Sequence, residues 1–515
     1  MRFYTYITVF IAGFVTLGVE LAAARLLGNV YGTSNFVWAT IIGLILLYLS
    51  AGYFIGGRWA DRSPHAHTFY TILAWGAFSV GLIPVVAQPL LRWAADAVLA
   101  LNAPVAGGAF VTTLLLFSIP ITLLGCVTPF ATRLLIQDVH QAGQVSGRIS
   151  AVSTTGSLLG TFLPVMVLIP AIGTRLTYLL LATLLLLFAL GGLLVHHRRR
   201  FWWHLGLLPL LMVFGWWASS GSLKPTAGLL YEHESSYNLI QVVEHDQSRY
   251  LLLNEGQGIH SLYNPNGLQT NGTWDYFLCA PFFNAAPVLP SSVDSLAIVG
   301  LAAGTIAKQY TQVYGAIPID GIEIDPEIVA VGQKYFALNE PNLNVMIGDA
   351  RWELTHSPRQ YAVIGIDAYR LPYIPWQLTT VEFFQAAQDH LTVNGSLVIN
   401  VGRTPTDRRL IAALYTTLRQ IFPSVHVMDV AGTFNSILVA TQQPSSPQNL
   451  QANLQALPAD ANPLLRNALQ LAVASLQPEP AAGLIFTDDR APIEQLTNAI
   501  VLQYLLGDGL KMLTE

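Results

Sequence analysis

The stretch "SLAIVGLAAGT" at residues 295–305 decides the fold of the second half of this chain. It opens as a short apolar run, breaks at Gly300, and turns helical in pattern after Gly304. Glycine at a strand-to-helix turn permits a tight bend and close approach of backbone to a ligand. "IPIDGIEID" at 317–325 follows, with Glu323 nineteen residues past Gly304 at the end of the next apolar run. An acid in that place suits contact with the two hydroxyls of a ribose. A helix-packing Gly-x-x-x-Gly motif would show the same glycine spacing. Asp294 and Lys308 flank this one and β-type runs surround it, which argues against a membrane span.

Working outward, "LNVMIGDA" (343–350), "YAVIGIDAY" (361–369) and "GSLVINVG" (395–402) are further short apolar runs, separated by helical stretches at 305–314, 326–338 and 379–393. Strands alternating with helices predict a parallel, doubly wound sheet. Ligands of such sheets bind outside the carboxyl ends of the strands. Asp349 and Asp367 each end a strand on that edge. Asp349 is placed to meet a base edge, and Asp367 to stand where a reacting group would be. Each also suits a helix cap or a turn. Tyr369 reads either as an orienting partner or as a packed aromatic. Upstream, 237–263 alternates apolar and polar residues with turns between, the pattern of two or three antiparallel strands.

The first 222 residues read differently. The chain is 53% hydrophobic and 11% charged, against about 25% charged in an ordinary soluble protein. Of 25 basic and 30 acidic residues, eleven arginines and four acids fall before residue 223, leaving 14 and 26 after it. The acidic second half excludes a nucleic-acid partner, which requires a basic face. Candidate membrane spans are 5–27, 36–57, 68–88, 108–128, 150–171, 175–196 and 202–219. The last is short and tryptophan-ended, so it reads as a seventh crossing or as an interfacial helix. The segment 89–104 reads as a surface helix. Arginines at 58 and 62, 133 and 148, and 198–200 mark alternate loops as cytoplasmic and set the N-terminus inside. The first run carries Glu20 and Arg25 and reads as a retained span, not a cleaved signal. Glu20 is either functional or a structural hydrogen-bonding group, and Arg25 is expected to snorkel to the interface. Gly156 and Gly160 stand one turn apart, as in close helix packing. Cys126 and Cys279 give no ligand spacing, and His65 and His67 lack a third ligand nearby, so no metal is expected.

Over roughly 230–500 the chain resembles the spermidine synthase family, aminopropyltransferases that share a fold with S-adenosylmethionine methyltransferases. The motifs are "ESSYNLIQV" (234–242), "LLLNEGQGIHS" (251–261), "IVGLAAGT", "GIEIDP", "GDA", "GIDAY", "IPWQLTTVEFF" (374–384) and "FTDDRAPIEQL" (486–496). "GFVTLGVELAAARLLGNVYG" (13–32) is similar to the membrane-fused members. The resemblance implies that Glu323 holds the ribose hydroxyls and that Asp349 with Ala350 meets the adenine. It puts Gln257 near the sulfur end, Tyr237 at the pocket entrance, and Asp367 in the place of the catalytic aspartate. It also shows departures. Ala303 replaces an aspartate of the glycine loop, Trp274-Asp275-Tyr276 replaces Tyr-His-Glu, and Arg370 replaces a second aspartate. Asp275 and Tyr276 thereby become the substrate-binding candidates. The nucleoside half of the site is kept and the diamine half is not, which argues against putrescine as the acceptor.

The expected architecture is a transmembrane α-bundle (1–222), a small antiparallel β-domain (223–285) and a Rossmann-like, methyltransferase-type domain (286–515). The expected cosubstrate is decarboxylated S-adenosylmethionine or S-adenosylmethionine itself, with no tightly bound cofactor. The expected partners are the lipid bilayer and a small amine, with a homodimer as the oligomeric form and the C-terminal domain in the cytoplasm. Three functions stay open: an aminopropyl-type transferase, a methyltransferase, and a non-catalytic membrane transporter or sensor that binds a nucleoside or polyamine.

Overall fold

The computed structural model describes residues 2–31, 35–101, 105–219, 222–224, 226–254, 258–369 and 374–506. The chain divides into two compact units. One is Met1–Thr226 with Glu232–Leu239; the other is Ala227–Tyr231 with Ile240–Glu515.

The first unit is helical: α1 (Arg2–Tyr31), α2 (Asn35–Arg62), α3 (Ala66–Leu101), α4 (Val105–Gly125), α5 (Val127–Leu135), α6 (Ala142–Leu163), α7 (Ile169–His196), α8 (Arg198–Leu205) and α9 (Leu207–Ser219). Five stretches are long and apolar enough to cross a membrane: Arg2–Gly28, Val37–Arg62, Ala66–Ala87, Gly107–Leu135 and Val139–His196. The fifth has 58 residues, about 87 Å as one helix, far more than a hydrocarbon core of about 30 Å. It doubles back. A Cβ on Gly156 or Gly160 would come within 2.0 and 2.1 Å of the carbonyls of Phe10 and Phe14, so α6 runs parallel to α1 in close backbone contact. Tyr178 donates to the Val19 carbonyl and Tyr4 to the Phe188 carbonyl, so α7 runs antiparallel to α1. The reversal falls at Gly173, whose φ of 79° is left-handed.

The segment expected at 202–219 is split into α8 and α9 by a turn at Gly206. Neither piece alone spans a bilayer. Together they lie in the bundle, since His204 meets Trp75, Leu211 packs on Gly81, and Gly215 packs on Leu179. They therefore run back along α7 from its C-terminal end. The expected surface helix at 89–104 differs too: residues 89–101 continue α3 without a break, past Pro84 and Pro89.

The two ends of this unit differ in chemistry. At one end Arg2 donates to Gln137, and Arg133 pairs with Asp61 at 3.3 Å. His67 lies against His197 beside Arg198–Arg200 at the same end. At the other end the Arg25 guanidinium donates to the carbonyls of Ser235 and Tyr237. Glu234 is buried there and accepts from the Thr174 amide at 2.6 Å and the Thr174 hydroxyl at 2.8 Å, capping the helical turn after Gly173.

Beyond the helices of the first unit the chain forms two sheets. Strands β1 (Leu229–Glu234), β2 (Leu239–His245), β3 (Ser248–Leu253) and β4 (Ile259–Tyr263) form a four-stranded sheet in that order. The larger sheet contains β5 (Leu296–Val299), β6 (Ile319–Glu323), β7 (Leu343–Ile347), β8 (Tyr361–Ile366), β9 (Leu391–Gly402), β10 (Ser424–Asp429), β11 (Asn435–Thr441) and β12 (Leu476–Gln477). Its order is β12-β10-β11-β9-β8-β5-β6-β7. The strands from β9 through β7 pair in parallel, and β9–β11, β11–β10 and β10–β12 are antiparallel. β5 is buried along its whole length, as expected of a central parallel strand covered on both faces. The chain winds outward from β5 through β6 to β7, then returns to place β8 on the other side of β5. The switch point therefore lies between the ends of β5 and β8, where ligands of open α/β sheets bind.

Candidate active site

The turn after β5 is built around its glycines. Gly300 has a φ of 90°, and a Cβ there would lie 2.7 Å from the Asp367 carbonyl and 2.8 Å from the Ala368 amide. Only glycine lets the ends of β5 and β8 come this close. Gly304, with φ of 87°, precedes α10 (Thr305–Tyr314), where a Cβ would strike Leu338. The loop amides are already directed: Ala302 donates to Glu323 Oε2 and Ala303 to Ser261 Oγ, both at 2.9 Å.

Glu323 ends β6, next to this loop, and is buried. Its other oxygen accepts from the Asp325 amide at 3.1 Å. Burial pushes its carboxyl from 4.5 up to about 7, against the Asp325 and Ala302 amides that hold it down. It is thus a carboxyl poised near neutrality beside a glycine turn.

Asp367 follows β8, and its amide donates to the Val299 carbonyl at 2.9 Å, tying it to the end of β5. Its carboxylate has two neutral donors. The Trp274 indole reaches Oδ2 and the Asn400 amide reaches Oδ1, each at 2.9 Å. Asn400, buried on β9, has its orientation set in turn by Asn435 of β11, which donates to its Oδ1 at 2.8 Å. Burial pushes Asp367 up to about 6, with the bonds from Asn400 and Trp274 opposing. Two neutral donors steady the charged form without the full cancellation that an arginine would bring. The result is a fixed carboxylate whose proton is held more tightly than usual.

The structure brings Gly300, Glu323, Asp367 and Tyr369 together at neighbouring strand ends. Tyr369 is half-buried, its hydroxyl donates to the Asn400 carbonyl at 3.0 Å, and burial, then the charge of Asp367, push it well above its ordinary range. It braces the strand that carries Asn400. Asp349 is exposed and caps the helix Ala350–Thr355, accepting from the Trp352 amide at 3.0 Å; Ala350 is the first residue of that helix. The capping role is therefore filled, and one carboxylate oxygen is left over. Asp275 does not face the cluster. It is fully buried and accepts from the Thr270 amide and hydroxyl, the Asn271 amide and Gln309. Tyr276 is also buried and bonds Ser475 at 2.9 Å. Trp274 is the member of that segment that meets Asp367. Tyr237 belongs to the helical unit, and Gln257 lies outside the described residues, as does Arg370.

Trp274, Asn400 and Asn435 are the members that sequence reasoning missed as site residues. Asn400 carried a signal. It is the polar residue inside the otherwise apolar "LVINVG", and a buried amide in a central strand needs partners.

An eight-stranded sheet of this order, with a glycine turn after β5 and an acid at the end of β6, defines an α/β domain of the methyltransferase type. Similarity to named proteins is more particular. The chain is similar to a probable polyamine aminopropyl transferase of Bifidobacterium longum, 31% identical over 284 residues, which cover 52% of this chain and 62% of that protein. It is also similar to a polyamine aminopropyltransferase of Vibrio vulnificus, 25% identical over 244 residues, covering 46% of this chain and 79% of that one. The match thus spans less than two thirds of the Bifidobacterium protein. Among solved structures, a probable spermidine synthase from Corynebacterium glutamicum aligns with TM-score 0.39 and 19% identity over 51% of this chain and 99% of that one. No family model matches the chain.

Proposed function

We propose that this chain is a membrane-anchored aminopropyl-type transferase. Its membrane domain would be 1–222, its small β-domain 223–285 and its catalytic domain 286–515. The observation that carries the reading is Asp367: a carboxylate at the switch point, fixed by Trp274 and Asn400 and raised to about 6. In the reaction, the lone pair of a neutral amine attacks the methylene beside the sulfonium of an adenosyl cosubstrate. The carbon–sulfur bond breaks, its electron pair stays on sulfur, and methylthioadenosine leaves with no acid needed. The amine proton passes to Asp367, directly or through one water. Glu323 and the glycine turn would hold the ribose, and in-line placement would supply most of the rate. The named relatives support this reading, and decarboxylated S-adenosylmethionine is the cosubstrate it calls for.

Asp367→Asn tests it. Adenosyl binding by calorimetry should persist while aminopropyl transfer falls by 10²–10⁴-fold. Full turnover in that variant rules Asp367 out as the base.

A specific observation favours a second reading. The positive-inside rule puts the Arg2, Arg62 and Arg198–Arg200 end of the bundle in the cytoplasm. The segment Glu232–Leu239 is held at the opposite end, by Arg25 and Thr174. On this reading the chain would leave the membrane on the non-cytoplasmic face, in place of the expected cytoplasmic one. S-adenosyl cosubstrates are made in the cytosol, so an outer location favours a nucleoside- or polyamine-sensing domain over an enzyme. A reporter fused after Glu515 decides between them. A cytoplasmic signal supports the transferase, and an outer signal removes its cosubstrate supply.

A further inference from the structure

One corner of the helical unit gathers imidazole and guanidinium donors, and among the described residues none of these guanidiniums pairs with an acid. His65 and His67 have ring centroids 5.1 Å apart, and His67 and His197 are 5.2 Å apart. Arg200 extends along the first turn of α3, with its guanidinium 3.4 Å from the Thr71 hydroxyl. His197 Nδ1 accepts the Arg200 amide at 3.3 Å, which leaves its proton on Nε2 as a donor. Ser63 Oγ bonds Thr68 Oγ1 at 2.9 Å and adds a hydroxyl at the same turn. Arg198 and Arg199 are exposed beside it, and among the described residues Arg198, Arg199 and Arg200 make no ion pair.

The sequence around this corner is free of carboxylates. Neither 63–95 nor 139–231 contains an Asp or Glu, and the nearest acid, Asp61, is taken up by Arg133. Three imidazoles and the Arg200 guanidinium thus gather at the end of apolar helices, with Arg198 and Arg199 adjacent in sequence. Trp202 and Trp203 stand exposed on the next turn of α8, and indoles prefer the headgroup level of a bilayer. A phosphate flanked by two acyl chains matches both features: the anion meets the donors, and the chains lie along the apolar helices. A free phosphate would satisfy only the first.

We propose that the His65–His67–His197–Arg200 corner binds the headgroup phosphate of an anionic phospholipid. The proposal rests on the reading of the helical unit as membrane-embedded and is independent of the transferase site. Basic side chains near a membrane surface each contribute about fivefold in affinity for anionic lipid.

The test uses the full chain, extracted in detergent from membranes and exchanged into nanodiscs of equal phosphatidylglycerol and phosphatidylcholine. Lipid retained after delipidation is read by native mass spectrometry. The expected result is phosphatidylglycerol bound at least tenfold over phosphatidylcholine, falling about fivefold or more in H67Q/H197Q/R200Q and unchanged in R148Q. Should the triple variant fail to fold, the thermal shift of the wild type with each lipid supplies the same comparison. Equal retention of the two lipids overturns the proposal, as does undiminished phosphatidylglycerol in the triple variant. Displacement of the lipid by millimolar inorganic phosphate assigns the corner to free phosphate and overturns the lipid. Release of the chain from membranes by carbonate without detergent would instead overturn the membrane reading itself.

Discussion

The indole Nε1 of Trp274 donates to Oδ2 of Asp367 across 2.9 Å, and the two residues are 93 positions apart. An indole only donates. It can steady the carboxylate but cannot accept a proton from it. Trp274→Phe keeps the ring and removes the donor, so the charged form loses one of its two supports and the pKa of Asp367 rises above about 6. The acid limb of the kcat/KM profile should move up by about one pH unit, since a hydrogen bond to a charged group contributes about 1.5 kcal/mol. Activity near pH 7 drops and recovers toward pH 9. An unmoved acid limb with a lowered plateau would mean that the indole packs and does not tune.

Asn400→Ala removes the other donor and should shift the same limb in the same direction. It should also be sensitive to Asn435, because Asn435 sets the orientation of the Asn400 amide. Asn435→Ala leaves Asp367 untouched in contact terms but frees that amide to turn. Its limb should shift by part of the Asn400 effect. The double variant should equal Asn400→Ala alone, as expected for residues acting in one chain. Additive shifts in a pH-rate series would break the chain.

Much of the fold was legible because its signals are local. Gly300 and Gly304 break an apolar run where a strand meets a helix, and Glu323 ends the next run. That is periodicity and turn chemistry read along one segment. The long apolar helices were legible for the same reason, since an apolar stretch shows its length in the sequence. The reversal at Gly173 was implied by the length of the stretch, but its helical partners were not. Which residues surround Asp367 depends on β8 lying between β5 and β9, and on β9 pairing with β11, contacts that no single window contains. The donors around Asp275 were not legible either: an acid in a motif looks available until its donors are counted. Thr270 and Asn271 lie close in sequence, and Gln309 arrives from α10.

Glu323 predicts how stability depends on pH. Its folded pKa of about 7 exceeds its ordinary 4.5, so the folded chain holds that proton more tightly than the unfolded chain. The resulting stabilisation is complete below about pH 4.5 and is lost as pH rises through about 7. The shift corresponds to on the order of 3 kcal/mol. Glu323→Gln removes the titration. Measured by thermal unfolding of the ligand-free full chain in detergent, the variant should gain on the wild type between those two values and hold a constant lead above them. Parallel curves for the two proteins would show that Glu323 does not carry this linkage.

Asp275 separates a structural acid from a substrate contact. Its carboxylate takes hydrogen bonds from Thr270, Asn271 and Gln309 with no exposed surface. Asp275→Asn turns one acceptor into a donor facing donors, and leaves buried groups unmatched. That costs about 3 kcal/mol of stability. If the residue is a staple, its loss should lower the melting temperature while the KM for the amine and the affinity for adenosyl ligands stay within twofold in the folded fraction. If it grips the amine, KM should rise tenfold or more with little change in melting. Gln309→Leu is the companion variant. It withdraws one donor from Asp275 at a distance of one helix from the strand ends, so it should repeat the stability loss in part and leave both binding constants alone. A KM rise in both variants would return Asp275 to the substrate pocket.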